Sequence, residues 1–407
     1  MIFHLLRRHA GLLLYTALNY LDKAFAVAVP LVLLWATKDQ GLYNQVEYIY
    51  ALGALAVVAL ELGVRNYLLF GYREAPDRDQ FLVDGHNHFL LLNLLYAGLG
   101  LLVIGTLAGL GLGSPGLWLL VGIRTLYNAL FSFYSILVRL QDRPSAVFAL
   151  SLGANAGTCL LVGLFYYWGG RLTLPLVFAT QALLVAALVG IALRRRLWRQ
   201  FLSLRTYLRR TLAYAWPIIL NVFLVVAIQN VGKLYAQNAL SADEMTRLAM
   251  AQRITMVIHL GHGSAIGYLS KRIFIDPLAR VNPKILALYS GMVSLGVVLA
   301  MLSVLLLGII IPGRLAFWDP VFWVLVAYTV AWCFVSYVEL YVNKANHNRY
   351  VPLFTVVGSF FFLAVLALPG ATTLVRISVA MLVGMIVNLA LMVRFYRVRL
   401  SGSARSI

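Results

Sequence analysis

Apolar stretches long enough to cross a bilayer recur along the whole chain, separated by short polar turns. They lie at 10–36, 45–72, 86–111, 117–140, 146–168, 173–193, 212–238, 244–270, 285–311, 319–343, 351–369 and 374–394. A spanning helix needs about 20 consecutive, mostly apolar residues, which these runs supply. Composition agrees: 62% of the 407 residues are apolar and only 12% are charged, against about 25% charged in soluble domains. A soluble enzyme, a disordered chain and a disulfide-stapled scaffold are excluded. So is an outer-membrane barrel, whose strands alternate polar and apolar residues. The expected fold is all-α and polytopic, with about twelve transmembrane helices.

The chain is strongly basic, with 33 Lys and Arg against 14 Asp and Glu, a formal net charge of +19. A basic balance can signal nucleic acid, but cytoplasmic loops of membrane proteins also collect Lys and Arg. Twelve spans place both termini on one side. That side holds nearly all the loop bases, from Arg7 and Arg8 through Arg194–Arg196 to Arg397 and Arg399; only Lys38, Arg171 and Arg314 fall opposite. Both termini are expected in the cytoplasm, and no nucleic-acid partner is expected. A cleaved signal peptide is not expected either, because Asn19, Asp22 and Lys23 interrupt the first apolar run. Cys159 and Cys333 are mid-span and far apart, so no disulfide framework follows. His86-x-His88 and His259-x-x-His262 lack the further ligands of a metal site, so none is assigned.

The organisation is expected to be an N-terminal six-helix lobe (1–193), a basic linker (194–211), a C-terminal six-helix lobe (212–394) and a cytoplasmic tail (395–407). The linker, RRRLWRQFLSLRTYLRRT, carries Leu197, Trp198, Phe201, Leu204 and Leu208 at helical spacing, which suits a helix lying on the anionic leaflet. The halves look related at an offset of about half the chain, as in transporters built from parallel repeats. Each opens with a polar-studded helix (Asn19, Asp22, Lys23; then Asn221, Gln229, Lys233). A charged second helix follows in each (Glu47, Glu61, Arg65; then Arg247, Arg253, His259).

Seven cations fall inside the spans: Lys23, Arg65, Arg124, Lys233, Arg247, Arg253 and Arg376. Each costs about 2.5–3.5 kcal/mol at a helix centre on insertion scales, so they must be paired, snorkelling or facing a wet cavity. Helical spacing aligns polar residues into stripes: Tyr15, Asn19, Asp22 and Lys23; Arg124, Asn128, Phe131, Ser135 and Arg139; Gln229, Lys233 and Gln237; Arg247, Ala251, Thr255, His259 and His262; Trp332, Ser336, Glu339 and Asn343. Glu61 and Arg65 are i, i+4 partners. Against the cations stand only Asp22, Glu47, Glu61 and Glu339, with Glu244 and Asp319 at span edges. Arg247 and Arg376, near span ends, can snorkel. The deeper excess points to a central cationic cavity between the lobes, favourable when an anion visits it. Arg supplies forked donors there and Lys a point charge. Lys23, Arg65, Arg124, Asn128, Lys233 and Arg253 are the candidate substrate-binding residues, with Glu47, Gln229, His259 and Glu339 in support. Glu61, and second Asp22, are candidates for ion coupling: protonating a buried carboxylate would release its cation. Tyr15, Tyr20, Tyr48, Tyr50 and Tyr127 lie near the stripes and can stack on sugar rings.

VAVPLVLLW, the turn TKDQGLYN and ELGVRNYLLFGYRE resemble the opening of polysaccharide-unit flippases of the multidrug/oligosaccharidyl-lipid/polysaccharide exporter superfamily. LRRTLAYAWPIILNVFLVVAIQNVGKLYA resembles their Pro-initiated seventh helix. The likeness is greatest to the O-antigen-unit (Wzx-type) members. It implies an inner-membrane carrier that moves an undecaprenyl-pyrophosphate-linked oligosaccharide to the periplasmic leaflet by alternating access, without covalent chemistry. It further implies no cofactor, a coupling ion that is H+ with Na+ as the alternative, and membrane lipids and other O-antigen assembly proteins as partners. A multidrug or anionic-metabolite exporter of the same fold is the alternative. An O-antigen polymerase or ligase fits less well, since the outer loops are short. No phosphate-cradling P-loop is present, so the chain is not itself an ATPase.

Overall fold

The computed structural model describes residues 10–61, 63–64, 67–68, 71–72, 75–111, 114–141, 146–194, 197–275, 281–310, 315–345, 347–370 and 373–400. Twelve α-helices run through them: α1 (Ala10–Thr37), α2 (Gln40–Glu61), α3 (Arg78–Gly109), α4 (Pro115–Leu140), α5 (Ala146–Tyr167), α6 (Leu174–Arg194), α7 (Trp198–Ala239), α8 (Ala242–Ile275), α9 (Pro283–Ile310), α10 (Pro320–Lys344), α11 (Val351–Leu366) and α12 (Leu374–Phe395). No strand occurs among the described residues. Each helix overlaps one of the twelve expected spans, and the expected all-α class holds. Nine of these helices are long and apolar enough to cross a membrane. The other three are α2, α5 and α8; in α2 and α8 polar residues fill the opening turns (QGLYNQVEY and ADEMTRLAMAQR).

Helix surfaces carry the same message. Leu101, Leu102, Leu183, Leu306, Ile309 and Phe360 are each more than half exposed. A water-soluble surface rarely carries apolar patches of that extent; hydrocarbon accounts for them here, and the chain is a multi-pass helical membrane protein.

By packing, the chain forms two compact units. One is Gln45–Phe223; the other joins Met1–Asn44 to Leu224–Ile407. This division does not follow the expected boundaries at 193 and 212, because α1 packs on α8 and α7 is one continuous helix.

Lipid tails are as apolar as leucine, so helices in a bilayer associate through close packing and polar contacts. In the unit holding α8–α12, a Cβ on Gly358 would lie 2.5 Å from Gly384 O, and one on Gly261 would lie 2.8 Å from Met292 O. Only glycine permits these approaches of α11 to α12 and of α8 to α9. Asn388 Nδ2 donates to Thr355 Oγ1 at 3.0 Å across the α11–α12 seam. The Gln45–Phe223 unit packs through aromatics instead: Phe89 on α3 stacks on Phe133 of α4 at 3.8 Å. Gly63, just past α2, has φ +70°, and a Cβ there would also strike Ala215 of α7.

The linker behaves differently from expectation. α7 has 42 residues, about 63 Å at about 1.5 Å per residue, roughly twice the hydrocarbon thickness. Its first turns continue the helix, and Leu197 and Leu204 are buried in the Gln45–Phe223 core, with Leu208 packed against it. Ser203 Oγ bonds His88 Nε2 at 2.8 Å, and Tyr207 stacks on His88 at 4.4 Å. These leucines therefore pack on protein rather than on the leaflet, leaving Arg205, Arg209 and Arg210 outward. The side chains of Trp198 and Phe201 lie outside the described residues.

Candidate functional site

Arg124 is the tenth residue of α4, roughly mid-helix. Gly53 on α2 faces its stem: a Cβ there would lie 2.7 Å from Arg124 Cγ. One turn earlier on α2, the Tyr50 ring lies under the guanidinium at 4.0 Å, and Tyr127 of α4 lies at 5.6 Å. The Tyr50 ring is itself held edge-on by Phe178 of α6 at 5.8 Å. Arg124 Nη1 donates to Gln181 Oε1 at 3.3 Å, and its buried Nε has no hydrogen-bond partner among the described residues. Such stacking contributes about 0.5–2 kcal/mol. It occupies the flat face of the guanidinium, whereas anions are bound at the edge, where five N–H donors point. Asn128, one turn on, is half-buried.

The sequence reading missed Gln181 and Gly53. Gln181 was legible as an amide in the otherwise apolar run FATQALLVAALVG of α6. Gly53 carried no signal beyond being a helical glycine. Tyr50 and Tyr127 were expected to stack on sugars; in the structure they stack on Arg124.

Glu61 ends α2 and lines a small cavity of about 10 Å³ with Asn93, Tyr96, Phe89 and Phe133. That is room for about one water. Asn93 is buried; its Nδ2 donates to Phe89 O at 2.8 Å, while its Oδ1 has no hydrogen-bond partner among the described residues. Glu47 is fully buried on the same helix. Arg65, the expected partner of Glu61, lies outside the described residues.

In the other unit, Asp22 is fully buried on α1, and Arg253 of α8 is buried beside that helix. Pro30 lies inside α1 and has no N–H to give the carbonyl four residues earlier, that of Ala26. Arg253 Nη1 donates to that carbonyl at 3.5 Å. The Lys23 side chain lies outside the described residues. Arg247 pairs with Asp319, Nη2 to Oδ2, at 2.7 Å. Arg376 turns back on its own loop, donating to Leu368 O at 2.8 Å, Gly370 O at 3.0 Å and Pro369 O at 3.2 Å. Lys233 is buried on α7, with Gln229 half-buried one turn before it, and Glu339 is half-buried on α10. His259 stacks on Trp332 at 4.2 Å, and His262 bonds the Tyr289 hydroxyl at 2.6 Å.

The candidate residues thus fall in both units: Glu47, Glu61, Arg124 and Asn128 in one, Asp22, Gln229, Lys233, Arg253, His259 and Glu339 in the other. Arg124 is the membrane cation whose described partners are all neutral side chains, with donors to spare.

No protein-family model matches the chain, and no curated protein does. One solved structure, described as "Crystal structure of MATE in complex with Br-NRF", matches at 14% identity over 96% of each chain, with a TM-score of 0.47. A likeness of that degree extends no property of that protein to this chain.

Proposed function

We propose that the chain is a carrier for an anionic, lipid-linked oligosaccharide, an undecaprenyl-pyrophosphate O-antigen unit. It moves this substrate from the cytoplasmic to the periplasmic leaflet of a bacterial inner membrane. The carrier opens alternately to the two sides, without covalent chemistry. The observation that carries this reading is Arg124: a guanidinium at mid-helix, stacked on Tyr50 and, among the described residues, hydrogen-bonded only to the neutral Gln181, with edge donors left for a ligand. Holding an unneutralised cation there is costly, and a visiting pyrophosphate offsets that cost through forked, charge-assisted bonds. The sequence resemblance to polysaccharide-unit flippases agrees.

Glu61 is the residue for coupling to H+, or to Na+. It lines a cavity with room for about one water, together with Asn93, whose buried Oδ1 has no hydrogen-bond partner among the described residues.

Proteoliposomes test the reading. The purified chain should move a fluorescent polyprenyl-pyrophosphate saccharide between leaflets and leave a fluorescent organic cation untouched. Transport of the cation alone would overturn the proposal in favour of a multidrug exporter. Transport of a free organic anion, but not of the lipid-linked saccharide, would shift it to a metabolite exporter.

A further inference from the structure

A groove of about 300 Å³ runs between α4 and α6, within the Gln45–Phe223 unit. Tyr127, Phe131 and Val138 line it from α4; Leu184, Ala187 and Ile191 line it from α6. From Tyr127 to Val138 it follows α4 for about 16 Å. Two of its polar lining groups are already engaged: Tyr134 OH bonds His86 Nε2 at 2.7 Å, and Ser135 Oγ donates to Ser132 O at 2.7 Å. What remains for an occupant is apolar surface. Ala187 and Ile191 form an exposed lip, and the neighbouring Leu183 is 70% exposed.

One end of the groove is charged. Tyr127 both lines it and lies against the Arg124 guanidinium. Cation and groove together describe an amphiphile: an anionic head at Arg124 and a single apolar chain laid along α4 and α6. A resident phospholipid does not fit that description. Its head stays at the membrane interface, whereas Arg124 lies about 14 Å along a helix of 26 residues, midway along its length. We infer that the α4–α6 groove holds the polyprenyl chain of the lipid-linked substrate while its phosphate is at Arg124. This rests on the carrier reading above and adds to it where the chain lies.

The test uses the full-length chain in phosphatidylglycerol-containing nanodiscs. The probe is a polyprenyl phosphate with a diazirine in an isoprene close to the phosphate, and a diazirine phospholipid serves as the second arm. Cross-linked peptides are mapped by mass spectrometry. Wild type should label on α4 and α6. Ala187→Trp, which fills the groove from its exposed lip, should reduce that labelling roughly tenfold, a loss of about 1.4 kcal/mol of binding. Leu184→Trp serves if Ala187→Trp is not monodisperse, and if neither variant folds the wild-type map decides. Retained polyprenyl phosphate that labels elsewhere, or labels folded groove variants as it does wild type, overturns the groove and leaves the carrier reading standing. Equal labelling by the phospholipid arm overturns it in favour of bilayer lipid. No retention of polyprenyl phosphate above the phospholipid overturns the carrier reading, and the groove with it.

Discussion

The two units treat arginine in opposite ways. In the unit joining Met1–Asn44 to Leu224–Ile407, three membrane arginines are tied to the fold. Arg247 holds Asp319, Arg253 reaches the carbonyl that Pro30 leaves without its helical donor, and Arg376 holds three loop carbonyls. In the Gln45–Phe223 unit, Arg124 rests on aromatic faces and one amide oxygen, and its Nε has no described partner. Burial differs among them, with Arg253 buried, Arg124 half-buried and the Arg247 side chain 37% exposed. What offsets the charge differs: fixed acceptors in one unit, and in the other, on the proposed reading, a visiting ligand. Intramembrane charge alone does not mark a binding site; charge whose acceptors are not built into the protein does.

The sharpest way to break that contrast is to remove Arg124. Arg124→Ala should reduce movement of the lipid-linked saccharide in proteoliposomes by roughly a hundredfold, about 2.7 kcal/mol. Its thermal stability in detergent should fall by no more than about 2 kcal/mol, the worth of a desolvated stacked cation. Arg124→Lys should recover part of the transport, since a point charge replaces a fork. Full transport by an abundant Arg124→Ala protein would erase the distinction between the units. Arg253 should show the reverse pattern. Arg253→Ala leaves the Ala26 carbonyl without its donor, a loss of about 2 kcal/mol for a hydrogen bond from a charged group. Pro30→Ala returns an N–H to that carbonyl. The double variant Pro30→Ala/Arg253→Ala should therefore be about 1 kcal/mol more stable than the two single effects added predict. Strict additivity in a thermal-denaturation cycle would show that Arg253 is not serving the gap left by Pro30.

The helices were legible because apolar run length is a one-dimensional signal: all twelve expected spans have a helix. The fate of the linker was not, since a periodic stripe of leucines looks the same whether it meets lipid or protein. Leu197 and Leu204 were free to do either, and the core under α7 decided it. The candidate cations were found as residues but not sorted by role. Counting cations against carboxylates overlooks main-chain carbonyls, which are the acceptors for Arg253 and Arg376. Arg376 reaches carbonyls six to eight residues back in sequence, and which way its side chain bends is set by the turn after α11. Gln181 lies 57 residues from Arg124, and only the packing of α4 on α6 brings them together.

The arginines tied to acceptors should also rank among themselves by burial. Arg247 is 37% exposed at its side chain while Asp319 is 3% exposed. Solvent screens half of that pair, so its worth should lie near the surface value of up to about 1 kcal/mol. Asp319 Oδ1 also accepts from Val321 N at 3.0 Å, capping α10. Asp319→Asn keeps an oxygen for the cap and removes the charge, so it should lose about 0.5–1 kcal/mol. Asp319→Ala removes both and should lose about 1 kcal/mol more, the cost of a missing cap. Thermal denaturation of the two variants separates the contributions. A loss for Asp319→Asn as large as for Asp319→Ala would mean that the ion pair, not the cap, holds this end of α10, and that Arg247 ranks with Arg253 despite its exposure.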